Sequence, residues 1–444
     1  MGLGRSRRHF EVGLLQILFF SDQFRPEPCP PAASVYERAK YWVAWGHEVT
    51  VITSAPNFPD GKVYPGYRNA WRTVEYMDGI RVVRVKTYMT RNARFVRRVL
   101  DFASYMLSAL FFSLFEPVPD VVISTSPQLL AGVAGVIYAR IRRVPHVFEI
   151  RDLWPASILV NTGLRPGVVY RLLEWLELAI YRLSTRIICV TRSFAQDLTS
   201  RGVPECKIDV VLNGGNLDLF SPRAKDAEVE KKYGLEGRFV VGYLGTQGAS
   251  HGLINVLRAA DLMRHDRVTF LFVGTGVEHE SLQLRAREMN LSNVVFVPRQ
   301  LKEEMPRFWS VCDVCLVHLR SADLFRTVIP SKIFEGMAMG LPLVYAGPLG
   351  EASNLIEELQ IGIVVKPESP EQLADAVRFL YRSPLDRERF RSNSIKWAPV
   401  YSREQQAKAC FAVLEKAILE YGTASLPSVG FESAEKRSTS IGGR

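Results

Sequence analysis

The sequence predicts an α/β protein with two doubly wound domains that face each other across a cleft. Short apolar runs rich in Val and Ile alternate with longer helix-like segments, and such runs are typical of strands buried on both faces of a parallel sheet. The chain has 444 residues, too many for one ordinary core, and a single sheet holding all the predicted strands would be unusually wide. We therefore expect two sheets. The predicted strands are residues 14–20, 48–53, 81–85, 120–124, 146–150, 187–191, 209–212, 239–244, 268–273, 294–297, 313–317, 343–345 and 362–365.

A turn cluster near the middle of the chain separates the two sets of strands. The cluster is Asn213-Gly-Gly-Asn216, and Ser221-Pro-Arg223 after it is typical of a linker. The last residues are rich in Ser and Gly, a composition typical of disorder. The expected segments are a first domain at 1–215, a second domain at 216–398, a C-terminal helix at 399–422 that packs back across the domains, and a disordered tail at 423–444.

Composition and charge restrict the class of protein and its partners. With 47% hydrophobic and 23% charged residues the chain is composed like a soluble globular protein. Its net charge of +10 favours an anionic partner, which could be a phosphate-bearing small molecule, a nucleic acid or an anionic membrane surface. The six cysteines show no disulfide spacing, and the apolar run at 12–20 lacks a cleavage site and predicts a first strand. We expect a cytoplasmic protein.

A basic segment followed by an apolar one raises the question of membrane contact. Residues 81–98 contain seven Lys and Arg and no acid, and residues 99–115 carry only one charge, Asp101. The apolar segment is shorter than the ~20 residues needed to span a bilayer. Two interpretations stay open: an interfacial helix that lies on anionic lipid, for which the aromatic-rich segment 170–186 is further support, or a core helix that covers a sheet.

The segment 330–340 has the pattern of a short helix with an anion site at its start. We expect Ser331 to be its N-cap and Gly340 to end it. Lys332 would lie in the first turn, where backbone N–H groups and the helix dipole favour an anion such as a diphosphate. Glu335 would lie on the same face, and its carboxylate could accept two hydrogen bonds from the paired hydroxyls of a ribose. The alternative is an ordinary buried helix with a surface Lys–Glu pair.

A glycine-spaced loop follows the predicted strand 239–244. Gly242, Gly245 and Gly248 allow close approach of the backbone to a phosphate group. The spacing is neither that of a dinucleotide-binding fingerprint nor that of a P-loop, which disfavours a nicotinamide enzyme and a P-loop nucleotidase. His251 could cap a diphosphate, or it could be structural.

The motifs together resemble those of glycosyltransferase family 4, whose retaining enzymes have the GT-B fold of two facing Rossmann-like domains. The resemblance extends to about Tyr421 and is to the bacterial surface-polysaccharide branch that contains amino-sugar transferases of O-antigen and capsule synthesis. The matching segments are Gly46-His-Glu-Val-Thr-Val-Ile-Thr53, Glu149-Ile-Arg-Asp-Leu-Trp-Pro155, Val211-Leu-Asn-Gly-Gly215, Gly245-Thr-Gln-Gly248 and residues 325–342.

The resemblance implies a set of donor-binding residues. The family's donor motif has two glutamates eight positions apart, of which the second holds the ribose and matches Glu335. The first falls on Thr327, so backbone N–H groups at 326–329 are expected to contact the donor sugar instead. Thr246 and His251 stand where many members have diphosphate-binding Arg and Lys, so Lys332 and Arg326 are expected to supply that charge. The expected donor-binding residues are Gly245, Thr246, His251, Arg326, Thr327, Lys332 and Glu335.

Asp152 and its neighbour Arg151 are the catalytic candidates of the first domain. Asp152 follows the predicted strand 146–150, where ligands of open α/β sheets bind, and it could orient the acceptor hydroxyl or act as a weak base. It could instead cap the next helix with Arg151 as its partner. The segment 25–31, rich in proline, is expected to be an acceptor-side loop. Family resemblance implies that the donor's own phosphate helps to remove the acceptor proton, and we expect no metal and no cofactor.

The function expected from the sequence is transfer of a sugar from a nucleotide-diphosphate donor to a saccharide acceptor. The acceptor is expected to be linked to an undecaprenyl-type lipid at the inner face of the cell membrane, with the enzyme bound peripherally to that anionic surface. The alternatives are a nucleotide-sugar 2-epimerase of the same architecture, a non-catalytic membrane- or nucleic-acid-binding protein, and an inactive scaffold. A nucleic-acid partner is disfavoured because the basic residues are not interleaved with a reading motif.

Overall fold

The computed structural model describes residues 13–58, 60–90, 95–153 and 167–424. The first domain has an eight-stranded sheet with the order β3-β4-β2-β1-β5-β6-β7-β8. Its strands are β1 Gln16–Phe20, β2 Glu48–Ser54, β3 Arg72–Met77, β4 Ile80–Val85, β5 Val121–Thr125, β6 His146–Ile150, β7 Arg186–Cys189 and β8 Ile208–Val210. Its described helices are α1 Pro30–Ala44, α2 Phe95–Ser113, α3 Leu129–Arg142, α4 Val168–Leu183 and α5 Arg192–Ser200.

All seven strands predicted for the first half are present, and one strand was missed. The missed strand is β3, which pairs antiparallel with β4 at the edge of the sheet. Its residues are mostly exposed on both faces, so it lacks the continuous apolar run by which a buried parallel strand is recognised. Every other pairing in this sheet is parallel.

The second domain has a six-stranded parallel sheet with the order β11-β10-β9-β12-β13-β14. Its strands are β9 Phe239–Leu244, β10 Val268–Val273, β11 Val294–Val297, β12 Val314–His318, β13 Leu343–Ala346 and β14 Gly362–Val365. Its helices are α6 Ala227–Tyr233, α7 Ile254–Leu262, α8 His279–Glu288, α9 Met305–Ser310, α10 Ser331–Ala338, α11 Glu351–Leu359, α12 Pro370–Arg382 and α13 Pro384–Trp397.

The strand order fixes where each sheet opens a crevice. From β9 the chain moves outward to β10 and β11, and it then returns to the other side of β9 for β12, β13 and β14. The crevice at the carboxyl ends of β9 and β12 is therefore a topological switch point, where open α/β sheets bind ligands. The first sheet has the equivalent point between β1 and β5.

The last helix, α14 Arg403–Ala424, leaves the second domain and packs against the first. Its residues Ala407, Cys410 and Leu414 belong to the core cluster that contains Trp42 and the strand β1. The Trp42 indole donates a hydrogen bond of 3.1 Å to the carbonyl oxygen of Ala407. The helix continues two residues beyond the expected end at 422, and the remainder of the expected tail lies outside the described residues.

The helix α2 has one side like that of a core helix and another like that of an interfacial helix, the two interpretations of its apolar sequence. Tyr105 and Ala109 are fully buried against the sheet, as in a core helix. On its other side Leu100, Leu107 and Phe111 are each more than half exposed. Within the described residues, the structure contains no helix that is both long enough and apolar enough to cross a membrane.

Candidate functional site

The loop that follows β9 comes very close to the start of α10. Gly245 has a φ of +136°, a conformation that favours glycine, and its N–H donates to the carbonyl oxygen of Val273 at 2.8 Å. A Cβ at this position would lie 3.1 Å from both Cε and Nζ of Lys332. Because Gly245 has no side chain, Lys332 can occupy the crevice at the carboxyl ends of β9 and β12. Lys332 belongs to α10, the helix that connects β12 to β13.

Lys332 lies in the first turn of α10, as expected, but the predicted N-cap is wrong by one residue. Pro330 occupies the N-cap, and Ser331 is the first helical residue. Because proline has no side-chain acceptor, the first N–H groups of α10 receive no side-chain cap there. The Lys332 ammonium lies 4.6 Å from the centre of the Tyr243 ring, and burial lowers its pKa although Glu335 raises it. A half-buried cation thus lies beside a helix N-terminus, which is a suitable site for an anion.

Glu335 lies one turn further along α10, on the same side as Lys332. The Trp309 indole N–H donates to one of its carboxylate oxygens at 3.4 Å. Burial raises the pKa of Glu335, while the cations Lys302, Lys332 and Arg403 oppose that rise. The carboxylate is therefore surrounded by positive charge and hydrogen-bond donors, and it retains the capacity to accept further bonds from a ligand.

His251 is at the far end of the loop, in the single 3₁₀ turn Ala249–His251. Its ring lies edge-on to Tyr243, with centroids 5.9 Å apart. Burial, together with the positive charge of Lys332, lowers the pKa of His251 to about 3, so the imidazole is neutral at physiological pH. Its Nδ1 is buried and has no hydrogen-bond partner within the described chain. The side chain of Thr246 is exposed, and its carbonyl oxygen accepts from the Tyr243 hydroxyl.

The segment expected to contact the donor sugar also contacts the first domain. Arg326 ends the 3₁₀ turn Asp323–Arg326 and has an exposed side chain that pairs with Asp323 at 3.4 Å. The Thr327 hydroxyl donates to the carbonyl oxygen of Leu324 at 2.8 Å, within the same turn. Val328 packs against a core cluster of each domain. The backbone at 326–328 is therefore held where the two domains meet.

The catalytic candidates of the first domain have different environments. The Ser126 hydroxyl oxygen accepts hydrogen bonds from the backbone N–H groups of Arg151 and Asp152, at 2.7 and 3.2 Å. The Arg151 guanidinium points inward and donates to Ser34 of α1 and to Asn213, which lies in the turn at the end of the first domain. Asp152 is only partly buried at the carboxyl end of β6. The residues Trp154 and Pro155 of this motif lie outside the described part of the chain.

A buried network of charged side chains next to this site was not predicted from the sequence. Arg38 and Glu149 form a bidentate ion pair of 2.7 and 2.8 Å with both side chains almost fully buried. Glu37 pairs with Lys302 at 2.6 Å and with Arg403 at 3.0 Å. These partners are between 111 and 366 positions apart in the chain, so no local spacing connects them. Adjacent charges on the apolar helix α1 were the only signal.

Comparison with known proteins gives the family-level context of this site. Residues 31–214 match a family model described as a glycosyl transferase 4-like domain, and residues 225–397 match glycosyl transferases group 1. The chain is 26% identical over 376 residues to a putative colanic acid biosynthesis glycosyl transferase of Escherichia coli, covering 82% of this chain and 91% of that protein. It is 25% identical over 367 residues to a GDP-mannose-dependent alpha-mannosyltransferase of Mycobacterium tuberculosis, covering 82% and 88% of the two chains.

Comparison with solved structures confirms the fold predicted from the sequence. The crystal structure of HepE from Anabaena in complex with UDP-glucose has a TM-score of 0.66 to this chain at 16% identity, covering 92% of this chain and 100% of that one. Both domains of the GT-B architecture are thus present, each with its own parallel sheet.

Proposed function

Because the chain belongs to glycosyltransferase family 4, we propose that it transfers a sugar from a nucleoside-diphosphate donor to a saccharide acceptor with retention of anomeric configuration. The acceptor would belong to bacterial surface-polysaccharide synthesis, which the name of the Escherichia coli relative supports. The solved structure with UDP-glucose and the GDP-mannose-dependent relative support a nucleotide-sugar donor.

The observation that carries the proposal is the anion site at the switch point of the second sheet. Lys332, the start of α10 and the close approach at Gly245 meet at one position, and His251 interacts electrostatically with Lys332. Lys332 is the cation of this position, and Lys302 and Arg403 act on the Glu335 carboxylate beside it. A diphosphate diester linking nucleoside and sugar would supply the anion for this cation and for the α10 N–H groups.

The chemistry follows from where charge develops during transfer. When the bond between the sugar and the diphosphate breaks, negative charge grows on the leaving phosphate, and Lys332 with the α10 N–H groups stabilises it. Glu335 holds the ribose, and the backbone at 326–328 contacts the donor sugar. Asp152 orients the acceptor hydroxyl, and the departing phosphate oxygen on the same face takes its proton. The protein acts through positioning and electrostatics, without a metal or cofactor.

Ligand-induced stabilisation tests the donor proposal. Purified protein is mixed with UDP- and GDP-sugars, with and without EDTA, and the thermal midpoint is measured for wild type, Glu335→Ala and Lys332→Ala. At 100 times its Kd a ligand adds about 2.7 kcal/mol to the free energy of unfolding, which produces a readily measured rise. We expect a rise for at least one donor, unaffected by EDTA and reduced in both variants. If no nucleotide diphosphate stabilises the wild type, the proposed function is wrong.

We also propose that the first domain binds an anionic membrane surface that presents the lipid-linked acceptor. The helix α3 contacts both α2 and α4, so these helices form one layer. That layer exposes large apolar side chains: Leu100, Leu107 and Phe111 on α2, Ile141 on α3, and Leu172 and Trp175 on α4. Arg97 and Arg98, at the start of α2, are exposed beside them. Exposed apolar residues flanked by basic ones are typical of surfaces that insert into an anionic interface.

Vesicle flotation distinguishes membrane binding through this helix layer from non-specific adsorption of exposed apolar residues. Leu107 and Phe111 are changed together to Ser, and Arg97 and Arg98 together to Gln. The matched control is Leu385→Ser, which removes an even more exposed leucine from the second domain. With vesicles containing anionic phospholipid, we expect both double variants to float less than wild type and the control to float equally. Equal flotation of all four proteins would contradict membrane binding through this layer.

A further inference from the structure

Glu37 of the first domain contacts a lysine of the second domain and both segments of the chain that connect the two domains. Its Oε1 accepts hydrogen bonds from the Lys302 ammonium at 2.6 Å and from the Asn216 amide at 3.0 Å. Its Oε2 lies 3.0 Å from Nε of Arg403. Lys302 follows β11 in the second domain, Asn216 lies in the connection between the domains, and Arg403 begins α14. One nearly buried carboxylate of the first domain therefore fixes the position of a lysine of the second.

The same lysine acts on the carboxylate of the donor site. Burial raises the pKa of Glu335, and Lys302 is the cation that opposes this rise most strongly, ahead of Lys332 and Arg403. Lys302 thus interacts with two carboxylates from two domains. The groups that face Glu335 are Lys302 and Arg403 from the interdomain network, Lys332 from the preceding turn of α10, the Trp309 indole N–H from α9 and the neutral thiol of Cys315 on β12.

We propose that Lys302 is a positioning residue for the donor, held by Glu37 of the first domain so that its ammonium keeps the Glu335 carboxylate charged for the paired hydroxyls of the donor ribose. This inference rests on the proposed function. An ionised carboxylate accepts hydrogen bonds about twice as strong as those of a neutral carboxyl group. Lys302 acts on Glu335 through its electrostatic field, and its position is fixed by Glu37 of the other domain. The affinity for the donor therefore depends on how the two domains are joined.

The experiment measures nucleotide affinity against pH in the full-length protein. Isothermal titration with UDP and GDP from pH 5.5 to 8.5 is applied to wild type, Lys302→Met, Lys302→Arg, Glu37→Gln and Glu335→Gln. The matched control is Lys225→Met, which removes a lysine of similar exposure from an ion pair with Asp313 in the same domain. Circular dichroism confirms the fold of each variant, and Glu37→Gln serves if Lys302→Met does not fold.

The expected result is a loss of affinity that depends on pH. Without Lys302 the pKa of Glu335 rises further, so the carboxylate protonates at the acidic end. We expect Lys302→Met to bind about 10-fold more weakly near pH 6 and to approach wild type near pH 8.5. Lys302→Arg should rescue binding, Glu37→Gln should weaken it in the same direction, and Lys225→Met should match wild type.

Two outcomes overturn the proposal, and they differ in what they mean for the proposed function. If wild type binds UDP or GDP and Glu335→Gln weakens binding, but Lys302→Met shows no loss or the same loss at every pH, then Lys302 is merely structural and the donor site stands. If wild type binds neither nucleotide at any pH, the proposed function and this inference both fail.

Discussion

Gly245 allows the donor site to be perturbed with a single methyl group. In Gly245→Ala the new Cβ would lie 3.1 Å from Cε and Nζ of Lys332, closer than ordinary van der Waals contact. The lysine end is flexible, so it gives way and leaves its position over Tyr243. The φ of +136° at this residue is also unfavourable for alanine, and such backbone strain costs about 1–3 kcal/mol of stability.

The loss of nucleotide affinity follows from the hydrogen bonds that we propose between Lys332 and the donor diphosphate. Charge-assisted hydrogen bonds of this kind are worth about 1.5–3 kcal/mol, and a displaced ammonium would lose most of this. We take about 2 kcal/mol for the binding effect, which corresponds to a roughly 30-fold rise in Kd. Gly248→Ala is the control in the same loop, because Gly248 has an extended backbone and its Cβ would meet nothing closer than 3.9 Å.

Isothermal titration with the nucleotide that stabilises the wild type is the assay, performed well below the thermal midpoint of each variant. We expect Gly245→Ala to lose about 30-fold in affinity because the displaced lysine gives up most of its hydrogen bonding, and Gly248→Ala to stay within a few-fold of wild type. Because the methyl acts through Lys332, adding Gly245→Ala to Lys332→Ala should cause little further loss. Equal affinities of the two glycine variants, or full additivity with Lys332→Ala, would refute this reasoning.

Two further predictions concern buried charges. Burial would raise the pKa of Glu149, but Arg38 and Arg151 hold it at about 2. Arg38→Met should therefore leave the buried Glu149 carboxylate with only its longer, 3.4 Å pair to Arg151 and lower stability by about 3 kcal/mol, seen as a lower urea midpoint, whereas an unchanged midpoint would contradict the importance of the Arg38–Glu149 pair. Burial lowers the pKa of His146 to about 3, so its contribution to stability is complete above about pH 6.5 and is lost as the pH falls from there towards 3. Between pH 7.5 and 5.0 the stability of wild type relative to His146→Gln should fall by about 2 kcal/mol, and urea unfolding at the two pH values measures it; a constant difference would show that the pKa of His146 is the same in the folded and unfolded protein.

The fold followed from the sequence because its strands are of one recognisable kind. Central strands such as β6 and β9 are buried along their whole length, so each is a continuous apolar run between turn residues. The strand β3 is the exception, since an exposed antiparallel edge needs no apolar run. The start of α10 was misplaced by one residue because Pro330 and Ser331 are both suitable helix-start residues, and only the backbone angles decide between them.

The candidate site was predictable only where its residues are close together in the chain. Lys332 and Glu335 are three positions apart, and helical geometry alone puts them on one side. The approach of Gly245 to Lys332 depends on β9 and β12 being neighbours, which follows from the fold. By contrast, Glu37 pairs with Lys302 because the two domains are in contact, and with Arg403 because α14 returns to the first domain. The sequence around each of these residues gives no indication of these pairs.

A transfer assay with labelled donors tests the proposed retaining glycosyl transfer most directly. Wild type and Glu335→Ala are incubated with radiolabelled UDP- and GDP-sugars and a bacterial lipid extract that contains lipid-linked saccharides, and the anomeric configuration of the labelled product is determined by NMR. We expect wild type to label the lipid fraction from at least one donor with retention of the donor's anomeric configuration, and we expect Glu335→Ala to lose most of this activity. No transfer from any nucleotide sugar, or a product of inverted configuration, would contradict the proposed retaining transfer.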